Sequence, residues 1–274
     1  MTNESNPSPS DLARAIRSHA LRMVAKAKAS HVGTCLSMAD LLAGLYGEAL
    51  RHDPARPDWS ERDRFLLSKG HGAAILYAVL AERGFFPKDW LDHYCEDGSP
   101  LTGHASHRVP GIELSTGSLG HGLPVGCGLA LAAKRDQHNH RVFVLMSDGE
   151  LDEGSNWEAI LFAPHHRLDN LVAIIDYNKI QSFGSVKEVL DLDPLAAKFR
   201  AFNWAVREID GHDSVVIDKT LSAVPFERGH PSVIVAHTVK GKGVGYMQDQ
   251  LAWHYNSPDS TQLATALAEV AQGQ

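Results

Sequence analysis

The chain has 274 residues, of which 43% are hydrophobic and 22% are charged, an ordinary composition for a globular protein with a sizeable core. Its formal net charge of −7, from 26 basic and 33 acidic residues, disfavours nucleic-acid or acidic-membrane partners. Because no apolar run approaches the roughly 18 residues of a membrane span and no secretory signal is visible, we expect a cytoplasmic protein that contacts no membrane.

Helical spacing dominates the first fifty residues. We expect residues 1–10 to form a flexible tail and Asp11 to cap a helix that runs to Ala27, since the apolar positions repeat with helical periodicity. A loop at Ser30–Thr34 then separates this helix from a second one over 37–49.

Apolar, strand-like runs alternate with helix-like stretches through the rest of the chain. The runs predicted as strands begin at Arg64, Arg141, Leu171, Trp204 and Ser232. Helices are predicted over 73–83, 87–96, 122–134, 213–223 and 259–271. This alternation predicts an α/β fold with a doubly wound, mostly parallel sheet flanked by helices. No linker-like stretch divides residues 11–274, which we interpret as a single domain.

Two oxygen-bearing side chains follow neighbouring predicted strands. Asp148 ends the run that begins at Arg141, and Asn178 follows the run that begins at Leu171. A β-α-β unit occupies about that much chain, so both side chains should reach the same carboxyl edge of a parallel sheet. One carboxylate and one amide oxygen suit Mg²⁺, which completes its octahedron with water and phosphate oxygens. Gly149 would let a phosphate approach the backbone closely.

Histidines next to glycines are the second feature, in a chain that contains sixteen histidines. His71, His104 and His121 are of this kind, and His104 lies in a long irregular stretch, 98–122, that is typical of a binding loop. A zinc site is not indicated, because CxxC and HExxH spacings are absent. We expect a polar pocket in which histidines bind sugar hydroxyls and move protons near neutral pH.

Two lysines follow the last predicted strand in a glycine-loosened turn. Lys240-Gly-Lys242-Gly begins this turn, and a Trp253-His254 pair follows it. Such a turn can contact a diphosphate, although it lacks the GxxxxGK[ST] spacing of a Walker loop. The strand-end oxygens and the lysine turn together indicate a metal-bridged diphosphate.

Taken together, these motifs resemble the amino-terminal, diphosphate-binding domain of transketolase, a thiamine diphosphate enzyme. The resemblance runs from about residue 11 to residue 258 and depends on the order and spacing of all the motifs. They are His31-Val-Gly-Thr34, Leu67-Ser-Lys-Gly-His71-Gly, Thr102-Gly-His104, Ser115-Thr-Gly117-Ser-Leu119-Gly-His-Gly, the Asp148–Asn178 unit, Lys240-Gly-Lys-Gly and Trp253-His254.

The resemblance implies a role for each matching residue. Asp148, Asn178 and the backbone carbonyl of Ile180 would bind Mg²⁺ or Ca²⁺. The residues that would line the cofactor are Thr34, His71, Gly117, Ser118, Leu119, Gly149, Asn178, Lys240 and His254. The residues that would surround the thiazolium carbon and the donor ketose are His31, His71, His104 and His254. Glu153 resembles a buried carboxylate at the family's subunit interface, where it links paired active sites.

Two departures from the family pattern are visible. Ser147 stands where the family usually has a glycine before the aspartate, and we expect so small a residue to be tolerated. The chain also ends before the second domain, which in transketolases carries the glutamate that activates thiamine and the arginines that hold the substrate phosphate. Since it begins with Met1 and ends in a polar tail, we expect a complete product that is one half of a split enzyme.

The main hypothesis is therefore the amino-terminal subunit of a two-chain transketolase, which uses thiamine diphosphate and Mg²⁺ to transfer a two-carbon ketol unit between sugars. A separately encoded chain with the pyrimidine-binding domain would be its partner, in an α2β2 heterotetramer. The second hypothesis is the α-subunit of a 2-oxo acid dehydrogenase, which uses the same metal motif but does not need a histidine-rich polyol pocket. A non-catalytic assembly partner is the third.

Overall fold

The computed structural model describes residues 7–273, and within them five parallel strands form one sheet. The strands are β1 (Arg64–Leu67), β2 (Val142–Ser147), β3 (Leu171–Tyr177), β4 (Ala205–Asp210) and β5 (Ser232–His237). They lie side by side in the order β1-β2-β3-β5-β4, so that β5 is inserted between β3 and β4. All five strands predicted from the sequence are present.

Helices connect the strands and cover both faces of the sheet. They are α1 (Pro9–Ala27), α2 (Val32–Ser37), α3 (Ala39–Gly44), α4 (Ala73–Glu82), α5 (Gly122–Arg135), α6 (Gly154–His165), α7 (Val186–Val189), α8 (Leu195–Ala201), α9 (Ser214–Leu221) and α10 (Ser260–Gln272). Within residues 7–273, none of these helices is long and apolar enough to cross a lipid bilayer.

Successive strand residues point to opposite faces of the sheet and fill two separate cores. In β3, Val172 and Ile174 belong to the core formed with α1, α3 and α4, whereas Ala173 and Ile175 belong to the core formed with α5 and α6. Every residue of β3 is buried, as expected for a central parallel strand covered on both faces. The predicted α/β fold with a doubly wound sheet is therefore confirmed.

The carboxyl ends of β2, β3 and β5 lie next to one another. Ser147 pairs in register with Asp176, and Tyr177 pairs with His237. The segments that follow these strands therefore emerge at one edge of the sheet, which is where ligands bind in open α/β folds.

Helix α1 begins earlier than predicted. Ser8 is its N-cap, because Ser8 Oγ accepts a hydrogen bond from the backbone N of Asp11 at 3.1 Å. The cap predicted at Asp11 is wrong, and Asp11 instead lies in the first turn, where an acidic side chain favours the helix dipole. Pro9 and Ser10 thus belong to α1, and residues 1–6 of the predicted tail lie outside the described residues.

Helix α2 occupies part of the loop predicted at Ser30–Thr34. The backbone N of His31 donates to the carbonyl oxygen of His254 at 2.9 Å, and His31 adopts a left-handed conformation with φ of 73°. This long-range contact fixes the start of the helix at Val32, which local sequence does not indicate. The single helix predicted over 37–49 is divided into the end of α2, then α3 and a π-helical turn.

The helix predicted over 87–96 is a shorter 3₁₀ turn, Lys88–His93. The chain leaves it at Cys95, which has a φ of 59° and whose backbone N donates to the carbonyl oxygen of Leu101 at 2.8 Å. A residue in the left-handed region ends a right-handed helix, so the predicted continuation to residue 96 does not form. The short helices α7 and α8 were not predicted.

Candidate active site

A cavity of about 240 Å³ opens at the carboxyl edge of the sheet. Its walls come from the segments after β1, β2, β3 and β5, from α2 and from the irregular stretch 98–122. The lining residues are His31, Thr34, His71, His104, Gly117, Leu119, Ser147, Asp148, Gly149, Asn178, Ile180, Gln181, Ser182, Lys240 and His254. Of the site residues predicted from the sequence, all but Ser118 and Glu153 share this cavity.

Asp148 follows β2 and has only 1% of its surface exposed. Its carboxylate accepts hydrogen bonds from the backbone N of Gly149 at 2.7 Å and from that of Lys179 at 2.5 Å. Burial raises the pKa of Asp148 to about 6, and the nearby charge of Asp176 adds to the rise. A carboxylate in this environment favours a bound cation, because a buried negative charge is costly without a positive partner.

Asn178 and Ile180 follow β3 and present two further oxygens. Asn178 Oδ1 accepts a hydrogen bond from the backbone N of Ile180 at 3.1 Å, and the carbonyl oxygen of Ile180 accepts one from Lys240 Nζ at 2.8 Å. With Asp148, they give the cavity one carboxylate, one amide and one carbonyl oxygen. This donor set fits a hard cation such as Mg²⁺, which prefers oxygen ligands. Across residues 7–273, no cluster of three or more His, Cys, Asp or Glu side chains forms a metal centre.

Lys240 brings a buried cation to the same oxygens. Only 1% of its surface is exposed, and its Nζ also lies 2.9 Å from Nδ1 of His254. Burial lowers the pKa of Lys240 to about 8, and attraction to Asp148 opposes this change. The ammonium group is therefore placed to pair with a phosphate oxygen of a ligand that also contacts the metal.

Four histidines form one cluster in the cavity. The ring centroid of His31 lies 5.0 Å from that of His71, 6.2 Å from that of His104 and 5.1 Å from that of His254. Burial lowers the pKa of His31 to about 4 and that of His254 to about 3, and it holds the pKa of His71 well below its ordinary value. These three rings are neutral near pH 7, so each offers one N–H donor and one acceptor nitrogen.

Small residues keep part of the cavity wall open. A Cβ added to Gly117 would lie 3.1 Å from the ring of His104, and one added to Gly149 would lie 3.0 Å from the side chain of Gln181. Larger residues at either position would push on these neighbours. Thr34, in α2, is buried and contributes a compact polar wall. The arrangement leaves room for a ligand beside the strand-end oxygens.

Ser118 and Glu153 are exposed outside the cavity. Ser118 lies in a turn whose neighbours, Gly117 and Leu119, do line the cavity. Glu153 is the N-cap residue of α6 and lies against the same turn, since a Cβ added to Gly120 would meet Glu153 Cβ at 2.7 Å. The predicted interface role of Glu153 stays a prediction, because the single chain leaves this side chain exposed.

Sequence reasoning missed four residues in or next to the site. Lys69 and Asp176 form a fully buried ion pair, and Gln181 and Ser182 belong to the cavity wall. A charged residue inside an apolar run was the available indication for Asp176. For Lys69 it was the position beside the Gly-His-Gly stretch. Nothing in the sequence indicated Gln181 or Ser182, which reach the cavity through the loop after β3.

Known protein sequences identify the family. Residues 8–266 match the family model of the transketolase thiamine diphosphate binding domain. The chain is 42% identical over 256 residues to an apulose-4-phosphate transketolase subunit of Phocaeicola vulgatus, which covers 93% of this chain and 91% of that protein. It is 41% identical over 259 residues to a 6-deoxy-6-sulfo-D-fructose transketolase subunit of Clostridium sp. (strain MSTE9), which covers 94% of each chain.

Solved structures give the same result for the fold. The transketolase of Leishmania mexicana matches with a TM-score of 0.91 at 31% sequence identity, over 97% of this chain and 42% of that one. The transketolase of Campylobacter jejuni matches with a TM-score of 0.90 at 31% identity, over 96% of this chain and 42% of that one. The chain thus spans less than half the length of these two enzymes. It belongs to the transketolase family, as a thiamine diphosphate-binding domain of that family.

Proposed function

We propose that this chain is the amino-terminal subunit of a two-chain transketolase, which transfers a two-carbon ketol unit from a ketose or ketose phosphate to an aldose or aldose phosphate. One observation carries the proposal. The oxygens suited to a metal, the buried Lys240 and the four histidines all line a single cavity at the sheet edge. The names of the two bacterial relatives, both transketolase subunits of nearly the same length, support it.

Thiamine diphosphate and Mg²⁺, or Ca²⁺, are the ligands that we assign to this cavity. Asp148, Asn178 and the carbonyl oxygen of Ile180 would hold the metal, and three protein oxygens leave positions for water and diphosphate oxygens. Lys240 would bind the diphosphate, and Gly149 would allow it to approach the backbone. Among the remaining cavity residues, we assign Thr34, the Gly117–Leu119 turn and His254 to the cofactor's surroundings.

The histidines would act on the sugar. When bound, the cofactor supplies a thiazolium ring that stabilises the two-carbon carbanion. His31, His71 and His254, which are neutral near pH 7, can each accept a proton from a sugar hydroxyl or donate a hydrogen bond to a sugar oxygen. His104, 6.2 Å from His31, would contact the same substrate from the opposite wall of the cluster. Holding the sugar against several fixed polar groups lowers the entropic part of the barrier.

We infer that a second, separately encoded chain completes the site. The two apulose-4-phosphate transketolase relatives are themselves named as lettered subunits, which implies another subunit in those proteins. In this protein the partner would carry the pyrimidine-binding domain, and the two chains would form a cytoplasmic α2β2 assembly. Glu153, exposed at the start of α6, would contact that assembly's interface.

Reconstitution tests this proposal directly. The purified chain alone, with thiamine diphosphate and Mg²⁺, should show no ketol transfer, and addition of the purified partner should restore it. Removal of the metal with EDTA should abolish transfer, and Mg²⁺ or Ca²⁺ should restore it. Rapid turnover by the isolated chain would contradict the two-chain arrangement.

A donor screen and calorimetry separate this proposal from its alternatives. Ketose phosphates and branched, deoxy or sulfonated ketoses should serve as donors in the reconstituted complex, whereas pyruvate should not. Turnover of pyruvate would favour a 2-oxo acid dehydrogenase subunit. A complex that gives no heat on addition of thiamine diphosphate and Mg²⁺ would favour a non-catalytic assembly partner.

A further inference from the structure

A fully buried ion pair lies next to the cofactor cavity without lining it. Lys69 Nζ donates to Asp176 Oδ2, and neither side chain has any exposed surface. Lys69 follows β1, and Asp176 lies one residue before the end of β3. Their charges are 107 positions apart in sequence, so the pair joins two distant segments at the sheet edge.

Asp176 is also hydrogen-bonded to two further segments. Ser37 Oγ donates to Asp176 Oδ2 at 2.5 Å, and Thr238 Oγ1 donates to Asp176 Oδ1. Ser37 Oγ additionally lies 3.0 Å from the carbonyl oxygen of Thr34, and Asn178 Nδ2 lies 3.4 Å from Asp176 Oδ2. One carboxylate therefore contacts the end of α2, the segment after β1, the end of β3 and the segment after β5.

Each of these contacts lies close in sequence to a residue that lines the cavity. The pairs are Lys69 with His71, Ser37 with Thr34, Asp176 itself with Asn178, and Thr238 with Lys240, and the numbers within each pair differ by two or three. The strand-end amide, the buried lysine, a histidine and the threonine of α2 are thus all tied to one point.

Stability does not explain why these charges are buried. Removing two charges from water costs several kcal/mol per ion, on the order of what their attraction returns, and well-packed neutral replacements are often equally stable. Ser37 and Asn178 are buried as well, so the whole group is shielded from solvent. A network of this kind restricts the positions of the segments that it joins, because each hydrogen bond depends on the geometry of the others.

We propose that the Lys69–Asp176 ion pair is the positioning centre of the cofactor cavity, where it fixes Thr34, His71, Asn178 and Lys240 relative to one another. Neither residue touches the ligand; both act through the cavity residues. The proposal rests on the proposed function only for the identity of that ligand. Lys69 has a second effect that agrees with this role. After burial, its positive charge is the largest contribution to lowering the pKa of His71.

The test replaces the pair as a unit, since either single change would leave a buried charge alone. Lys69→Met combined with Asp176→Asn should fold and keep a thermal midpoint near that of the wild type. In the reconstituted complex it should bind thiamine diphosphate with Mg²⁺ roughly 10- to 100-fold more weakly, the usual cost of losing a group that orients ligating residues. In the isolated chain, amide hydrogen exchange should rise together in the segments 34–37, 69–72, 176–180 and 238–242.

Asp63→Asn is the matched control. Asp63 precedes β1 as Lys69 follows it, and its buried carboxylate pairs with Arg51 and Arg141 at the opposite end of the strand. This variant should lower the thermal midpoint but leave the affinity for thiamine diphosphate unchanged. If the double variant binds within about twofold of wild type and its exchange is unchanged, the positioning role is refuted.

Thr238→Val provides a second, uncharged variant in case the double variant does not fold. It removes one hydrogen bond to Asp176 and should raise exchange at 34–37 and 69–72 as well as in its own segment. A rise confined to 238–242 would overturn the proposal. Exchange in the isolated chain needs no cofactor, so it decides the positioning role independently. A wild-type complex that binds no thiamine diphosphate would instead refute the proposed function.

Discussion

The ammonium group of Lys240 donates a hydrogen bond to the carbonyl oxygen of Ile180 at 2.8 Å, although this oxygen is one of the three assigned to the metal. A cation at the metal position would repel the ammonium group, because two positive charges only a few ångströms apart in a buried site interact strongly. A diphosphate would offer Lys240 a better partner. Binding of the metal and binding of the diphosphate should therefore be coupled through this side chain.

Lys240→Met separates the two events. In the reconstituted complex, the variant should bind thiamine diphosphate roughly 10- to 100-fold more weakly, as expected for the loss of a charged hydrogen bond worth about 1.5–3 kcal/mol. Mg²⁺ alone should bind at least as tightly as in the wild type, because the competing cation is gone. Calorimetry measures both. Lys242→Met is the control, since Lys242 lines a separate cavity with Arg14 and Arg17. Equal losses in both variants would contradict the assignment.

Asp148→Asn should abolish Mg²⁺-dependent cofactor binding with little loss of stability in the metal-free chain. Because the pKa of Asp148 is raised to about 6, its stabilising contribution is complete below the ordinary value of 3.8 and is lost as the pH rises through 6. At about pH 8 the buried charge costs about 1–3 kcal/mol, which the substitution removes, while the loss of one backbone hydrogen bond offsets part of the gain.

Thermal unfolding in EDTA measures this effect, and Asp63→Asn gives the opposite expectation. Hydrogen bonds and charges from Arg141 and Arg51 lower the pKa of Asp63 against the effect of burial, so this carboxylate stabilises the fold when ionised. Its replacement should reduce the free energy of unfolding near neutral pH. A larger loss for Asp148→Asn than for Asp63→Asn would show that the charge of Asp148 stabilises the chain without metal.

The histidine cluster should make the chain sensitive to acid. The folded-state pKa of His31 is about 4, below its ordinary value of 6.5, so only the unfolded chain binds this proton between those values. The free energy of unfolding should therefore fall as the pH decreases from 6.5 to 4. Protonation of Asp148 acts in the opposite direction over part of this range, so the measurement is made in the Asp148→Asn background.

Chemical denaturation across this pH range gives the slope. His31→Gln should make the slope smaller, and the exposed His165→Gln on α6 should leave it unchanged. An unaltered slope in His31→Gln would mean that this ring is protonated in the folded chain.

Glu153→Gln tests the interface assignment. Because Glu153 is exposed in the single chain, its replacement should change the free energy of unfolding by no more than about 0.5 kcal/mol. Ketol transfer by the reconstituted complex should nevertheless fall. Glu227→Gln serves as the control, since the Glu227 side chain is 66% exposed and lies far along the chain from the site residues. Full activity in Glu153→Gln would remove this residue from the interface.

The strand-end residues were predictable because their positions follow from simple geometry. Asp148, Asn178 and Lys240 each come soon after an apolar run, and parallel strands bring the ends of such runs to one edge. The roles assigned to the histidines came from the family resemblance. The structure shows that His31, His71, His104 and His254 share a cavity, which the sequence places on four separate segments.

The remaining features depend on contacts between distant residues. The start of α2 is set by the hydrogen bond from His31 to His254, which spans most of the chain. The Lys69–Asp176 pair is similar, since a lysine in a turn and an aspartate in a strand give no sign of one another in sequence. Local propensity describes short segments and cannot anticipate such pairings.

The insertion of β5 between β3 and β4 also determines when the site can exist during synthesis. β5 is the last strand along the chain, yet it lies beside the centre of the sheet. Lys240 and His254 follow it, so a growing chain that already carries Asp148 and Asn178 still has no complete cavity. Cofactor binding should begin only after residues 232–254 have been made and have inserted, which makes ligand capture a late event and a reporter of finished folding.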